Sequence, residues 1–392
     1  MTQKKWTQRN LAVTILSLSL LTVMAGAAMA PALSTIQAHF TDTNRLLIQM
    51  IIGVPPLFII IFNCIFPWLC QRFNNRTLVL SGLLLYIVGG CAAGLFNNIY
   101  LILVTRALVG VGVGIIMPFS TGLLAYYFPA DKQTRLMGYS SAMNQMGGVI
   151  ATLLAGLLAN ISWRASFLVY MMGLLSMVLC LIYLPGDQMK QPTNAKKVSR
   201  GQIWQTYRLY IIAIFLLMST FFVYPANFSF ITLADGVIAP KYIALIMAFM
   251  DLIAFFGGLL SYQARSIFRQ YTKFLAPLCF LLGYLFLTIH SSLFSVLVGS
   301  VLVGFANGVG IPYIFSEVSF KAGKTAATTV MPLLSAAMYL AQFISPMLMS
   351  VIQSIFGSFG GVHLPYCFGV VLALLFCICS GLLPKQTTSA NH

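Results

Sequence analysis

Charged side chains are scarce in this sequence, and acidic ones are the scarcest. Only 7% of its 392 residues are charged, 22 of them basic and 6 acidic, whereas a soluble domain is about a quarter charged. So few charges cannot cover a soluble particle of this size, which excludes a water-soluble enzyme and a disordered chain. The basic residues lie in short gaps between apolar runs, which excludes a nucleic-acid-binding domain.

The sequence also lacks the common motifs of enzyme chemistry. It contains no HExxH, no nucleotide-binding P-loop, no Ser-His constellation and no pair of carboxylates within an apolar run. None of its eight cysteines forms a CxxC motif. We therefore expect a protein that is not an enzyme, without metal or cofactor, for which a proton gradient rather than ATP supplies the energy.

Long apolar runs make up most of what is present. A helix needs about 20 apolar residues to cross the hydrocarbon core of a membrane, and continuous runs favour helices over the alternating strands of a barrel. The hydropathy pattern predicts twelve spans. They cover residues 10–33, 45–69, 77–96, 99–126, 137–160, 164–184, 209–233, 241–262, 273–290, 293–317, 326–355 and 361–383.

The basic residues predict the orientation of these spans, because Lys and Arg collect on the cytoplasmic side. With the N-terminus inside, eighteen of the 22 fall in inner segments, while Arg45, Arg164 and Lys241 lie outside and Arg106 alone lies within a span. We expect a multi-pass protein of the inner (cell) membrane with cytoplasmic N- and C-termini. One alternative concerns the first span, where Ala28-Met29-Ala30 after a basic start also resembles a signal-peptide cleavage site.

An internal repeat with an offset of 194 residues divides the chain into two halves. Residues 103–118 (LVTRALVGVGVGIIMP) match residues 297–312 (LVGSVLVGFANGVGIP), and the matches include Gly and Pro positions. We predict an all-α integral membrane protein with twelve transmembrane helices in two pseudo-symmetric six-helix bundles. The predicted domains are residues 1–184 and 209–392, and the basic, polar segment 185–208 is the predicted cytoplasmic linker. Parallel repeats of this kind are a known transporter architecture.

Several motifs resemble those of the major facilitator superfamily, and the resemblance covers essentially the whole chain. The segment from Arg106 to Gly114 in the fourth span is similar to the family's Arg-x-x-x-Gly motif, and Ser162-Trp163-Arg164 is similar to a segment before the sixth span. The fold that the resemblance implies is the two-bundle fold of that family. The activity it implies is secondary active transport by alternating access, most like the twelve-span drug:proton antiporters.

Two family motifs are altered in this sequence. Between the second and third spans, Arg72 and Arg76 keep the basic pattern, but Gln71 stands where the family has an Asp that helps to latch the halves. The resemblance assigns these three residues to gating. In the fifth span, Gly147 and Gly156 keep small side chains without the Gly-Pro step typical of antiporters. Small residues allow close helix packing, so we expect the packing role to remain.

Asp251 is the one acidic residue in the middle of a predicted span, in the eighth. Ionisable residues at membrane depth are costly and are therefore functional candidates. Burial raises the pKa of a carboxyl group, and a nearby cation lowers it. A carboxyl group under both influences can load and release a proton. We predict proton coupling at Asp251 and, from the family motif, at Arg106. The alternative is a static role, with Asp251 paired to Arg106 or bonded to a neighbouring helix, and with Arg106 capping backbone carbonyls.

The resemblance also implies a central cavity lined by the first, fourth, seventh and tenth spans. Aromatic, Met and amide side chains in these and adjacent spans suit an amphipathic ligand, because they pack adaptably with few fixed bonds. The predicted substrate-binding residues are Met24, Met117, Asn144, Phe221, Tyr224, Asn227, Phe305, Asn307, Tyr313, Tyr339 and Gln342.

These observations predict proton-coupled export of small amphipathic or drug-like compounds. The alternative is a carrier for a small metabolite such as a sugar or an organic anion, since Arg106 lies in a half with few acids. A membrane enzyme or a non-transporting sensor is a remote alternative. The expected partners are a small-molecule substrate and membrane lipid, with no nucleic acid, and the expected oligomeric state is a monomer.

Overall fold

The computed structural model describes residues 8–188, 200–289 and 292–384, and no strand occurs among them. The α-helices are α1 (Gln8–Ala27), α2 (Leu33–His39), α3 (Arg45–Arg72), α4 (Asn75–Ala92), α5 (Ile99–Tyr127), α6 (Ala130–Ala159), α7 (Met172–Tyr183), α8 (Arg200–Asp235), α9 (Pro240–Phe268), α10 (Thr272–Ile289), α11 (Leu293–Gly360) and α12 (Leu364–Leu382). Short 3₁₀ turns cover Ala30–Ala32, Ala93–Leu95, Ala165–Met171 and Arg269–Tyr271.

Twelve helical stretches among the described residues are long and apolar enough to cross a membrane, which confirms the predicted number of spans. The first stretch combines α1, the 3₁₀ turn and α2. The predicted tenth and eleventh spans were expected as separate helices, but both lie in the single 68-residue helix α11. The sequence between them contains no proline, so it carries no strong signal to end a helix.

Polar side chains begin several of these helices. The Asn44 side chain accepts a hydrogen bond from the Leu46 N–H at 2.9 Å, and Asn98 accepts one from Tyr100 at 2.9 Å. Ser292 and Ser295 form a reciprocal capping box at the start of α11. Each cap satisfies backbone N–H groups that have no partner inside the helix, which fixes where the helix begins.

Glycines bring α5 into backbone contact with two neighbours. A Cβ added at Gly110 would lie 2.5 Å from the Pro55 carbonyl oxygen of α3, and one added at Gly112 would lie 2.6 Å from the Gly82 oxygen of α4. Only glycine fits such approaches, so the glycine-rich motif of the fourth span is explained by packing on opposite sides of α5.

The repeat in the sequence is visible in the packing of the matched glycines. Gly304, the partner of Gly110, has the Met250 carbonyl oxygen of α9 at 2.4 Å from its added Cβ. Gly308, the partner of Gly114, has the Ala254 oxygen at 2.1 Å. The two halves therefore use equivalent glycines to pack equivalent helices, α5 on α3 and α11 on α9.

The chain divides into two compact units, which we describe separately. One comprises Met1–Thr193 with Pro240–Ala248, and the other comprises Asn194–Ala239 with Phe249–His392. The predicted linker falls partly outside the described residues, so its bounds, 185 and 208, stay a prediction.

Candidate functional site

The most deeply buried charge in the first unit is the guanidinium group of Arg106 on α5. Its side chain is 0% exposed. Nε donates to the Ile51 carbonyl oxygen of α3 at 2.9 Å, and Nη2 donates to the Ala25 oxygen of α1 at 2.6 Å. Nη1 has no hydrogen-bond partner among the described residues. One side chain thus joins three helices through backbone acceptors.

Local sequence explains why these two carbonyls accept from a side chain. Pro55 has no N–H, so Ile51, four residues earlier in α3, lacks its usual helical donor. Ala25 lies in the last turn of α1, where the backbone carbonyl groups have no N–H donors from a following helical turn. The negative end of the α1 dipole also stabilises a cation at that position.

Two tyrosines complete the surroundings of Arg106. The Arg106 Cζ atom lies 4.9 Å from the centre of the Tyr170 ring, a cation–π contact. The Tyr170 hydroxyl also donates to the Ala25 oxygen, at 3.3 Å. Tyr86 packs edge-on against Tyr170 with ring centres 5.2 Å apart. The sequence analysis did not single out these tyrosines, because nothing in their local pattern distinguishes them from the other fifteen.

A polar contact between α1 and α6 includes one of the predicted substrate residues. Thr22 donates to the Asn144 side-chain oxygen at 2.8 Å, and Ser19 bonds Ser140 at 2.6 Å. Met24, on the same helix α1, is fully buried. Met117 on α5 is half-buried. Two polar side-chain pairs therefore join the helices, so the α1–α6 contact combines close packing with hydrogen bonds between side chains.

In the second unit, Asp251 is half-buried on α9 and interacts electrostatically with Tyr224 of α8. Tyr224 is 0% exposed, and its hydroxyl bonds the Ser300 hydroxyl of α11 at 2.6 Å. The Tyr224 ring also stacks on Phe228, with centres 4.4 Å apart. The predicted proton carrier on α9 therefore interacts electrostatically with one predicted substrate residue on α8, which is itself hydrogen-bonded to α11, and we call this set of interactions the α8–α9–α11 network.

The other predicted substrate residues of the second unit lie on α8 and α11. Asn227 is fully buried and donates to the Val223 oxygen at 2.9 Å, within its own helix. The Asn307 side-chain oxygen has no hydrogen-bond partner among the described residues. The remaining five are half-buried or buried side chains, namely Phe221, Phe305, Tyr313, Tyr339 and Gln342. Contact of any of these residues with a substrate stays a prediction.

The turn between α3 and α4 holds the predicted gating residues. Gln71 and Arg72 are exposed, and the Arg72 Cζ atom lies 4.7 Å from the centre of the Trp68 ring. The Arg76 guanidinium donates to the Leu181 carbonyl oxygen at the end of α7. Arg76 therefore ties the start of α4 to the end of the sixth span, while Gln71 and Arg72 are exposed at the end of α3, with Arg72 over the Trp68 ring.

Asp187, in the segment after α7, joins the same region. The Tyr127 hydroxyl and the Asn75 side-chain amide both donate to its Oδ1, and the Asn75 N–H donates to its backbone oxygen at 2.9 Å. The segment after α7 is thereby fastened to the start of α4 and the end of α5. The bond between Tyr127 and a residue sixty positions away has no local signal in the sequence.

Replacing Tyr127 with Phe is expected to destabilise the first unit by about 1–3 kcal/mol, because the Asp187 carboxylate loses its hydroxyl donor in a half-buried place. Tyr126→Phe is the matched control, since Tyr126 is exposed and its ring contact with Tyr127 does not need the hydroxyl. Melting temperatures of the two purified variants measure the difference. Equal melting temperatures would contradict the assignment.

The second unit contains an ion pair at the end of α9 that the sequence analysis missed. Arg265 Nη2 lies 2.7 Å from Glu317 Oε1 of α11, and Glu317 is 4% exposed. Lys321, one turn further along α11, lies over the Tyr210 ring at 5.0 Å. The two partners lie on different helices, α9 and α11, so local sequence patterns do not reveal the pair.

The family model for the Major Facilitator Superfamily matches residues 15–346. The solved structure of a bacterial homologue of the human lysosomal transporter Spinster, inward-facing and occupied, has a TM-score of 0.77 at 13% identity and covers 99% of this chain and 100% of that one. A D-xylose–proton symporter has a TM-score of 0.74 at 14% identity and covers 96% and 98%. These likenesses show the fold.

The relatives found by sequence match the chain over only part of its length. The quinolone resistance protein NorA of Staphylococcus aureus is 24% identical over 258 residues, which are 64% of this chain and 63% of NorA. The cis,cis-muconate transport protein of Acinetobacter baylyi is 30% identical over 119 residues, 30% of this chain and 29% of that protein. The chain therefore spans less than two thirds of the length of these relatives.

Twelve apolar helices among the described residues, together with the match to the family model, define a multi-pass membrane protein. The chain belongs to the Major Facilitator Superfamily, which confirms the family and the fold class that its motifs predicted.

Proposed function

We propose that this transporter is a secondary carrier that couples proton entry to the export of small amphipathic or drug-like compounds by alternating access. The observation that carries the proposal is the half-buried carboxyl group of Asp251 in the middle of an apolar helix, where it interacts electrostatically with Tyr224. A carboxyl group at that depth is costly and is kept where it serves transport. The likeness to a quinolone resistance protein supports export of drug-like compounds.

The proposed ligand chemistry follows from side chains that lie on the predicted substrate-binding helices. Met117, Phe221 and Phe305 are half-buried and present apolar, adaptable surface, while Gln342 adds an amide. Such a set favours ligands with an apolar body and few polar groups. The proposal includes the inner (cell) membrane as location, with both termini in the cytoplasm, because of the distribution of basic residues.

A second candidate is a carrier for a small organic anion. It is favoured by the buried guanidinium of Arg106, whose partners among the described residues of its unit are uncharged. The partial likeness to a muconate transport protein supports the same candidate, since muconate is a dicarboxylate.

Proteoliposomes with an imposed pH gradient separate the two candidates. The purified protein is assayed with a quinolone, with cis,cis-muconate and with D-xylose, in each case with and without the gradient. Gradient-driven accumulation of the quinolone supports the first proposal, and accumulation of muconate alone supports the second. Movement of xylose alone, or of none of the three, would contradict both.

A further inference from the structure

We propose that Arg106 is a positioning residue that replaces missing backbone donors at two helix irregularities and so holds α1 and α3 in a fixed relation to α5. The inference goes beyond the proposed function, because it concerns the architecture of the first unit and needs no particular substrate. It also assigns Arg106 a role other than proton coupling.

The first step of the argument concerns the acceptor in α3. A buried carbonyl group without a donor costs free energy, and Pro55 deprives Ile51 of its donor. Ile51 is 0% exposed, so water does not supply the bond. Arg106 Nε, at 2.9 Å, takes the place of the absent N–H.

The second step concerns the acceptor in α1. Ala25 is 1% exposed and precedes the end of the helix at Ala27. Its oxygen receives two donors, Arg106 Nη2 at 2.6 Å and the Tyr170 hydroxyl at 3.3 Å. Both lone pairs are therefore used, and the α1 end stays bonded to the same guanidinium that bonds α3.

The third step concerns why an arginine is required. Its planar guanidinium carries donors in fixed directions, so that one group can serve two acceptors on different helices. Lysine keeps the charge but offers one nitrogen. A role in proton coupling through charge would tolerate lysine, whereas a role as a double donor would not.

The experiment uses a second substitution to return the missing donor. Arg106→Gln in the full-length protein is expected to lower the melting temperature by about 5 °C or more, since Ile51 loses its donor. Adding Pro55→Ala restores a backbone N–H four residues after Ile51 and is expected to recover at least half of that loss. The Ala25 oxygen keeps the Tyr170 hydroxyl in both variants.

The control is Pro67→Ala in the same Arg106→Gln background, because Pro67 lies in the same helix but is exposed. Pro67→Ala likewise returns a helical N–H, four residues after Asn63, so it measures the general gain from removing a proline in α3, and Pro55→Ala is expected to recover clearly more. Arg106→Lys is expected to lose as much stability as Arg106→Gln, and to be rescued by Pro55→Ala in the same way. If neither single variant gives folded protein, recovery of folded protein on adding Pro55→Ala serves as the test.

Transport by the rescued variant separates a positioning role from a direct role in proton coupling, because Pro55→Ala cannot restore a function that needs the guanidinium itself. With whichever compound the wild type moves, Arg106→Gln with Pro55→Ala should regain at least half of the wild-type rate. Failure of Pro55→Ala to restore stability, or a stable but inactive double variant, would overturn the proposal. The melting temperatures need no substrate, so they decide the matter even if the proposed export is wrong.

Discussion

Asp251→Asn is expected to reduce transport driven by a pH gradient by about tenfold or more, while exchange of substrate across the membrane without a gradient continues. Asparagine keeps the size of the side chain and imitates the protonated carboxyl group, so the alternation between conformations remains. Net transport stops because no proton can be released. Proteoliposomes measure both activities, gradient-driven uptake and exchange of labelled for unlabelled substrate.

Asp42→Asn is the matched control for this substitution. Asp42 is exposed in the loop between α2 and α3, so its neutralisation removes one acidic charge without touching a span. It should leave both activities at the wild-type level. Asp251→Glu should retain gradient-driven transport, because the carboxyl group is kept.

Undiminished gradient-driven transport by Asp251→Asn would remove Asp251 from proton coupling. Loss of exchange together with gradient-driven transport would instead place Asp251 in the α8–α9–α11 network as a structural residue. Its electrostatic interaction with Tyr224, and the bond from Tyr224 to Ser300, are the contacts that would then account for the loss.

The spans and the repeat could be predicted from sequence because both depend on patterns within one segment. Continuous apolar runs give the helices, and matched glycines such as Gly110 and Gly304 reveal the halves, since a Cβ added at these positions would lie only 2.5 Å and 2.4 Å from a carbonyl oxygen of the neighbouring helix. The tenth and eleventh spans were predicted, but their continuation as one helix, α11, was not, because a polar gap suggests a loop although helix formation does not require apolar residues.

The partners of the polar residues could not be predicted in the same way. Arg106 stood out as a charge within a span, but its acceptors lie at Ala25 and Ile51, on helices that contact α5 only after folding. A proline in a helix indicates that the backbone carbonyl four residues earlier lacks its helical N–H donor. The sequence does not show which other group donates to that carbonyl instead. The same limit hid the pairing of Asp187 with Tyr127.

Gly147→Ala is expected to destabilise the first unit by about 3 kcal/mol or more, or to prevent folding. A Cβ added there would lie 1.9 Å from the Leu20 carbonyl oxygen of α1, so the two helices must separate. Separation would strain the Thr22–Asn144 and Ser19–Ser140 bonds that join the same pair of helices. Folded yield and melting temperature in detergent measure the effect.

Gly138→Ala in the same helix, α6, is the control that isolates this packing effect. Nothing lies within 4 Å of an added Cβ at Gly138, so the substitution brings only the helix propensity of alanine, a gain of up to about 1 kcal/mol. The two substitutions are chemically identical and should have opposite signs. The difference between them measures how closely α1 and α6 approach, because helix propensity contributes equally to both. If Gly147→Ala folded as well as Gly138→Ala, the close contact of the fifth span with the first would be refuted, and with it the idea that the altered antiporter motif still serves in packing.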